Sequence, residues 1–213
     1  MKIRYLGHSC FQLTAADGTA IITDPYTKVG YELPSGIWAD VLTVSHGHFD
    51  HNYIQAVRHN VVISKAGEYR FNHIKIRGID SWHDEKQGVL RGANIIYIIK
   101  MDGITICHLG DLGEPCSAAL LEKIGEVDIL LLPVGGTYTV DAVGAKAYAD
   151  GINAKKIIPM HYKPFDGKID IASAEPFLSL YQDVEIQNLR GEIYTIDEND
   201  LHNGKKIIYM ERI

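Results

Sequence analysis

The sequence has little of what marks several common classes of protein. Only three cysteines occur among its 213 residues, at Cys10, Cys107 and Cys116. No two of them have the short spacing of a thiolate metal site, and three scattered thiols do not make a disulfide framework. They are typical of buried, reduced cysteines in a cytoplasmic protein, so we expect a cytoplasmic location.

Long apolar runs and clusters of basic residues are also missing. No window approaches about 18 consecutive apolar residues, so we expect no membrane-spanning helix, and the N-terminal residues lack the apolar stretch of a secretory signal. The formal net charge is −6, and the longest basic runs lie within 154–156 and 204–206. Since nucleic-acid affinity depends largely on clustered Lys and Arg, we expect neither a nucleic-acid nor a membrane partner.

What the chain does contain is a series of short apolar runs separated by turns. The first half reads as strands joined by turns such as 15–18 and 101–103, with one or two helical turns over 52–59 and a strand over 71–77. In the second half, helices alternate with strands. No linker or repeat divides the chain, so we predict one mixed α/β domain over 1–213, with sheets packed on each other and helices outside.

Acidic and imidazole side chains follow the ends of several apolar runs. Five residues stand in this position: Asp24, His46, His83, Asp111 and His161. Because strand ends in a sheet can converge at one rim, we expect these side chains to lie close together. Nitrogen and carboxylate ligands without thiolate suit zinc, manganese or iron.

The segment 46–51, HGHFDH, is dense in such groups and holds four of them: His46, His48, Asp50 and His51. The first two imidazoles are two residues apart and can point at one ion, and the carboxylate and imidazole that follow can face a second. Two ions about 3.5–4 Å apart need a bridging anion, for which Asp111 is the candidate. A buried cluster of this kind needs a counter-charge or a metal to be stable.

HGHFDH matches the HxHxDH signature of the metallo-β-lactamase fold superfamily. Further segments resemble landmarks of its short, stand-alone metal-dependent hydrolase branch, which includes proteins similar to L-ascorbate 6-phosphate lactonase: 5–13, 23–26, 81–85, 108–113, 130–149 and 157–162. The resemblance covers most of the chain. It implies a four-layer αββα sandwich with a binuclear site at one edge.

The resemblance also implies a ligand set and an activity. The first ion would be held by His46, His48 and His83, and the second by Asp50, His51 and His161, with Asp111 bridging. His108 would replace His83 if that assignment failed. The implied enzyme is a hydrolase with two divalent ions, zinc first and manganese or iron as alternatives. A bridging hydroxide would attack a small ester, lactone or phosphoester, with Asp50 and Asp111 catalytic.

Contacts to the small-molecule substrate are a further expectation. The candidates are His8, Glu85, Tyr162 and Lys163. Structural alternatives stand beside them: a hydrogen-bonded core histidine at 8, a solvated loop carboxylate at 85 and an exposed turn at 162–163. Two other functions stay open, an iron-dependent oxidoreductase or dioxygenase on the same fold and a non-catalytic, metal-stabilised binding module.

Overall fold

Strands make up most of the regular structure. The computed structural model describes residues 1–212, over which the chain forms fourteen strands, three α-helices and two 3-10 turns. The strands are β1 Lys2–Gly7, β2 Cys10–Thr14, β3 Ala20–Thr23, β4 Trp38–Thr43, β5 Arg58–Ile63, β6 Gly67–Phe71, β7 Ile74–Trp82, β8 Ala93–Met101, β9 Ile104–His108, β10 Ile129–Pro133, β11 Lys156–Met160, β12 Glu185–Arg190, β13 Tyr194–Thr195 and β14 Lys206–Glu211. The helices are α1 Ala118–Ile124, α2 Ala142–Ile152 and α3 Glu175–Leu178, and the 3-10 turns are Ile54–Ala56 and Asp200–His202.

The strands form two sheets. The first has the order β13-β1-β2-β3-β4-β5, and the second has the order β12-β14-β11-β10-β9-β8-β7-β6. In the first sheet β3, β4 and β5 run parallel. In the second sheet β9, β10, β11, β14 and β12 run parallel. Each sheet therefore has a group of neighbouring strands whose carboxyl ends point the same way.

The main hydrophobic core lies between the sheets. Ile21 and Val41 of the first sheet belong to the same buried cluster as Ile96, Ile106 and Leu131 of the second. The strands β10 and β11 are buried along their whole length, which explains why both read as apolar runs apart from Lys156 at the start of β11. Helix α2 packs against β10 on the other side. The predicted mixed α/β sandwich is confirmed.

The outer face of the first sheet differs from the expected helical layer. Its side chains, among them Ile22 and Leu42, pack against the loop 24–37, which contributes Tyr26 and Val29. Two prolines and two glycines in this loop disfavour a helix there. The covering layer on this side is therefore loop and one 3-10 turn, and the α-helices follow the strands of the second sheet.

Two local predictions were correct only in part, for a tertiary reason. The region 71–77 contains a hairpin between β6 and β7, whose turn places Asn72 at φ +53°. Within 52–59 only a single 3-10 turn forms, and β5 begins at Arg58 because it pairs in parallel with β4. The hairpin turn at 101–103 is confirmed by the pairing of β8 with β9.

The longest described helix, α2, has 11 residues. No helix in residues 1–212 is long and apolar enough to span a bilayer.

A tyrosine hydroxyl ties the two sheets together beside the segment 46–51. Tyr97 in β8 is fully buried, and its hydroxyl shares its one proton between the carbonyl oxygens of Val44 and Ile63, each at 3.0 Å. Ile63 ends β5 and Val44 follows β4. The contact therefore links the second sheet to the end of β4, after which the HxHxDH segment begins, and to the end of the neighbouring strand β5.

Replacing Tyr97 with Phe removes this donor and leaves two buried carbonyl oxygens with one partner fewer. We expect Tyr97→Phe to lower the free energy of unfolding by about 1–3 kcal/mol in urea denaturation. Tyr69→Phe is the control, because the Tyr69 hydroxyl donates to the Lys65 carbonyl at a half-exposed position. We expect less than about 0.5 kcal/mol there, and equal losses in the two variants would contradict the assignment.

Candidate metal centre

The structure brings the seven predicted ligands together at one edge of the sandwich. The segment 46–51 follows β4, His83 directly follows β7, Asp111 follows β9 and His161 directly follows β11. Their ligand atoms form three overlapping groups, in each of which all atoms lie within 4.8 Å of one another: His46, His48 and His83; His46, His51 and Asp111; and His8, Asp50, His51 and His161.

Asp111 lies at the centre of this cluster. Its Oδ2 is 3.0 Å from Nε2 of His51, 3.2 Å from Nε2 of His161 and 3.3 Å from Nε2 of His83. Nε2 of His46 follows at 3.8 Å. One buried carboxylate oxygen therefore faces four imidazole nitrogens from three other segments, which is the position expected of a ligand shared by two ions.

Asn94 fixes the position of this aspartate. Its side-chain oxygen accepts the backbone N–H of Asp111 at 2.9 Å, and its amide nitrogen donates to Ser81 and to the Leu109 carbonyl. Gly110, at φ +56°, has no room for a side chain, because a Cβ there would lie 2.4 Å from the Asn94 oxygen. The tight turn after β9 therefore depends on glycine at this position.

Several buried polar atoms of the cluster have no hydrogen-bond partner of acceptable geometry within residues 1–212. They are Nε2 of His51, Nδ1 and Nε2 of His161, Nδ1 of His83 and Oδ1 of Asp111. Buried polar atoms nearly always have a partner, so this concentration requires an explanation. Imidazole and carboxylate donors at this spacing fit divalent zinc, manganese or iron.

The electrostatics of the cluster favour a cation. Burial and the nearby His51 lower the pKa of His46 to about 3, which leaves its imidazole neutral and able to ligate. Burial also acts to lower the pKa of His51, but Asp111 and Asp24 outweigh it and raise that pKa well above its ordinary value. Burial disfavours a charge on Asp111, yet His161 and His51 hold its pKa well below the usual range. Positive charge is therefore stabilised between two carboxylates.

Asp24 supports ligands on both sides of the cluster. Its Oδ2 accepts from Nδ1 of His51 at 2.9 Å and from the Ser45 hydroxyl at 2.5 Å. That hydroxyl lies 3.0 Å from Nδ1 of His46, so it accepts the ring N–H while it donates to Asp24. The Nε2 atoms of both histidines are thereby turned toward Asp111. Sequence reasoning placed Asp24 at a strand end but left it out of the site.

His8, predicted to contact substrate, is instead buried against the candidate ligands Asp50 and His161. It is 1% exposed, its Nε2 is 3.2 Å from Oδ2 of Asp50, and its ring centroid is 4.3 Å from that of His161. Its backbone carbonyl accepts the N–H of His161 at 2.8 Å. Burial lowers the pKa of His8 to about 4, so the neutral ring donates to Asp50 and orients that carboxylate.

His108, the alternative to His83, forms hydrogen bonds with backbone groups through both ring nitrogens. Its Nε2 donates to the Ser9 carbonyl at 2.8 Å, and its Nδ1 accepts the N–H of Gly110 at 3.1 Å. Both ring nitrogens are used, so His108 is a buried structural histidine. The structure places His83, and not His108, beside Asp111.

A cleft of about 550 Å³ opens beside the cluster. Its inner lining includes His48, Asp50, His83 and Asp111, and its outer lining includes Phe49, Leu90, Arg91 and Tyr138. None of the four predicted substrate contacts lines it within the described part of the chain. Tyr162 is buried and donates to the Met210 carbonyl, and Glu85 and Lys163 are exposed outside the cleft.

Comparison with known proteins agrees with the fold and the ligand pattern. The model of the β-lactamase superfamily domain matches residues 2–161. The chain belongs to the β-lactamase superfamily. A metal-dependent hydrolase from Carboxydothermus hydrogenoformans is 30% identical, with 76% of this chain and 84% of the relative covered. Another from Methanoculleus marisnigri is 29% identical, with 78% and 82% covered.

A crystal structure from Thermotoga maritima, of a candidate Zn-dependent hydrolase of the metallo-β-lactamase superfamily, is also similar. It is 38% identical, with a TM-score of 0.82, and the alignment covers 100% of this chain and 99% of that chain. The predicted stand-alone branch of the superfamily is confirmed. This β-lactamase superfamily member is a metal-dependent hydrolase, which confirms the enzyme class expected from the sequence.

Asp24→Asn tests the support of the ligands. The amide replaces one accepting oxygen with a donor, so His51 and Ser45 lose their orientation, and we expect metal affinity to fall roughly 10- to 100-fold in competition with a chelator. Asp40→Asn is the matched control, because Asp40 likewise accepts a backbone N–H, from Ala20, and a side-chain N–H, from Asn60. Equal affinities in the two variants would refute the role of Asp24.

Proposed function

We propose that this β-lactamase superfamily hydrolase uses two divalent ions, zinc first and manganese or iron as alternatives, to cleave a small ester or lactone. The observation that carries the proposal is the position of Asp111, whose single Oδ2 faces four imidazole nitrogens from three other segments at 3.0–3.8 Å. Three groups of ligand atoms that overlap at His46 and His51 support two neighbouring positions more than one.

The residues divide between the two positions. His46, His48 and His83 would hold the first ion, Asp50, His51 and His161 would hold the second, and Asp111 would contact both. When bound, such ions supply Lewis acidity, which lowers the pKa of water toward about 7 and stabilises negative charge developing on a substrate oxygen.

Asp50 is the proposed proton acceptor. Its side chain is 13% exposed and lines the cleft, so a water molecule in the cleft can reach it. Burial acts to raise its pKa, but the hydrogen bond from His8 and the charge of His51 lower it below the ordinary value. The group therefore stays ionised and can accept a hydrogen bond from the attacking water, which orients that water and draws its proton toward the carboxylate.

The cleft supports a small substrate. About 550 Å³ lies within the usual range for small-molecule sites, roughly 300–1,000 Å³. A net charge of −6 disfavours nucleic acid. The choice of ester or lactone over phosphodiester follows the resemblance to the lactonase-like branch, which is an analogy at the level of the fold family.

Metal content tests the two-ion proposal. We expect about two equivalents of divalent metal per chain after reconstitution with zinc, measured by mass spectrometry of the dialysed protein. His48→Ala removes one ligand of the first position at an exposed site, so about one equivalent should remain. His59→Ala, on the surface of β5, should keep both. One equivalent in the wild-type protein would exclude the binuclear version.

Activity tests the choice of chemistry. We expect the zinc-loaded protein to open simple lactones and aryl esters faster than it cleaves a bis-aryl phosphodiester. Asp50→Asn should lower kcat by roughly 10²-fold or more, whereas Asp40→Asn should not. Faster phosphodiester cleavage would reverse the substrate assignment. Bound iron with oxygen uptake on a thiol would favour a dioxygenase, and full metal loading without any turnover would favour a binding module.

A further inference from the structure

One cation stands in the outer part of the cleft. Of the lysines and arginines in residues 1–212, Arg91 is the one that lines the cleft. Its Nη2 donates to the Thr137 carbonyl at 3.0 Å, and its guanidinium carbon lies 5.7 Å from the ring centroid of Tyr138. No ion pair with a carboxylate in the described chain involves this guanidinium. Most of its donors are therefore available to a molecule in the cleft.

Arg91 is held by a firmly tied loop. The buried carboxylate of Asp84 accepts four backbone N–H groups, those of Lys86 and Gly88 at Oδ1 and those of Leu90 and Arg91 at Oδ2, at 2.7–3.0 Å. The Asp84 side chain therefore fixes the conformation of the loop that carries Arg91.

The same loop carries a candidate metal ligand. The N–H of His83 donates to the Gly92 carbonyl at 3.1 Å, which closes the loop on itself. His83 and Arg91 thus stand on opposite arms of one closed loop and face one cleft. Their relative position is set by the backbone and does not depend on a ligand to organise it, which is what a specific anion site requires.

The remaining walls near Arg91 are apolar. Phe49 is 51% exposed, Leu90 is 52% exposed and Tyr138 is 40% exposed, and all three line the cleft. Large apolar side chains grouped in a cleft with a few polar groups are typical of a site for a ligand with an apolar body. The cleft therefore combines a hydrolytic cluster, a cation and apolar walls.

We propose that Arg91 determines specificity by binding a carboxylate or phosphate group of the substrate, which is therefore a small anionic ester or lactone with an apolar body. The inference rests on the proposed function for the reaction, but the anion site itself does not. A guanidinium presents paired N–H groups that match either oxyanion, and such charge-assisted hydrogen bonds are about twice as strong as neutral ones.

Kinetics on matched esters tests the assignment. The anionic substrates are monophenyl succinate and 4-acetoxybenzoate, which carry the carboxylate on opposite sides of the ester, and the neutral reference is phenyl acetate. We expect the wild-type protein to prefer at least one anionic ester. Arg91→Ala should lower the ratio of kcat/KM for that ester to kcat/KM for phenyl acetate by roughly 10- to 100-fold. Arg91→Lys should recover part of the ratio.

The control is Arg70→Ala. Arg70 also donates to a loop carbonyl, that of Asn72, but lies on β6 away from the cleft. It should leave the ratio unchanged. Thermal denaturation of each variant checks that the fold is retained, and Arg91→Gln serves if Arg91→Ala unfolds. A ratio that Arg91→Ala does not change, or a wild-type protein that prefers the neutral ester, would overturn the proposal.

Binding measurements separate this inference from the reaction itself. Calorimetry with benzoate and with phenyl phosphate compares wild-type protein with Arg91→Ala and distinguishes a carboxylate site from a phosphate site. We expect at least one of the two anions to lose roughly tenfold or more in affinity in Arg91→Ala. Loss of binding in a protein that hydrolyses no ester would leave the anion site standing and remove the proposed reaction. Ester hydrolysis with no Arg91-dependent binding of either anion would leave the proposed reaction standing and remove the anion site.

Discussion

The structure depends on the compensation of one buried negative charge. The carboxylate of Asp111 is 2% exposed, and an isolated carboxylate in such surroundings would destabilise the fold by several kcal/mol. Imidazoles from three other segments surround it, and each segment arrives at the end of a strand. The two sheets must therefore meet in one relative position for the charge to be satisfied. Packing of the core and assembly of the site therefore require the same relative position of the two sheets.

Much of the candidate site could be predicted, because its information is local. An apolar run followed by an acidic or imidazole residue is visible in the sequence, and the spacing within HGHFDH is specific. The choice between His83 and His108 could not be made in the same way, since both residues stand at strand ends. It depends on Ser9, 99 positions away in the chain, whose carbonyl occupies one ring nitrogen of His108.

Backbone geometry places two of the expected substrate contacts, Tyr162 and Glu85, away from the cleft. Tyr162 follows a predicted ligand, but His161 has φ +49°, and the chain turns so that Tyr162 packs between Tyr5 and Tyr209. At the other arm of the cleft, Asp84 and not Glu85 organises the loop, and the cation it positions lies seven residues further on. Hydrogen bonds that one carboxylate accepts from four backbone N–H groups have no periodic signature in a sequence.

The loop from His83 to Gly92 has a consequence for how this enzyme can diverge. Its length and its Asp84 contacts hold a candidate ligand, so insertions or deletions there would disturb the candidate metal centre. The side chains of Leu90 and Arg91 do not hold the candidate ligand in place, and they line the cleft. With Arg91 as the proposed specificity residue, new substrate preferences would be accessible by point substitution at the loop's outer end, while its backbone is constrained to remain as it is.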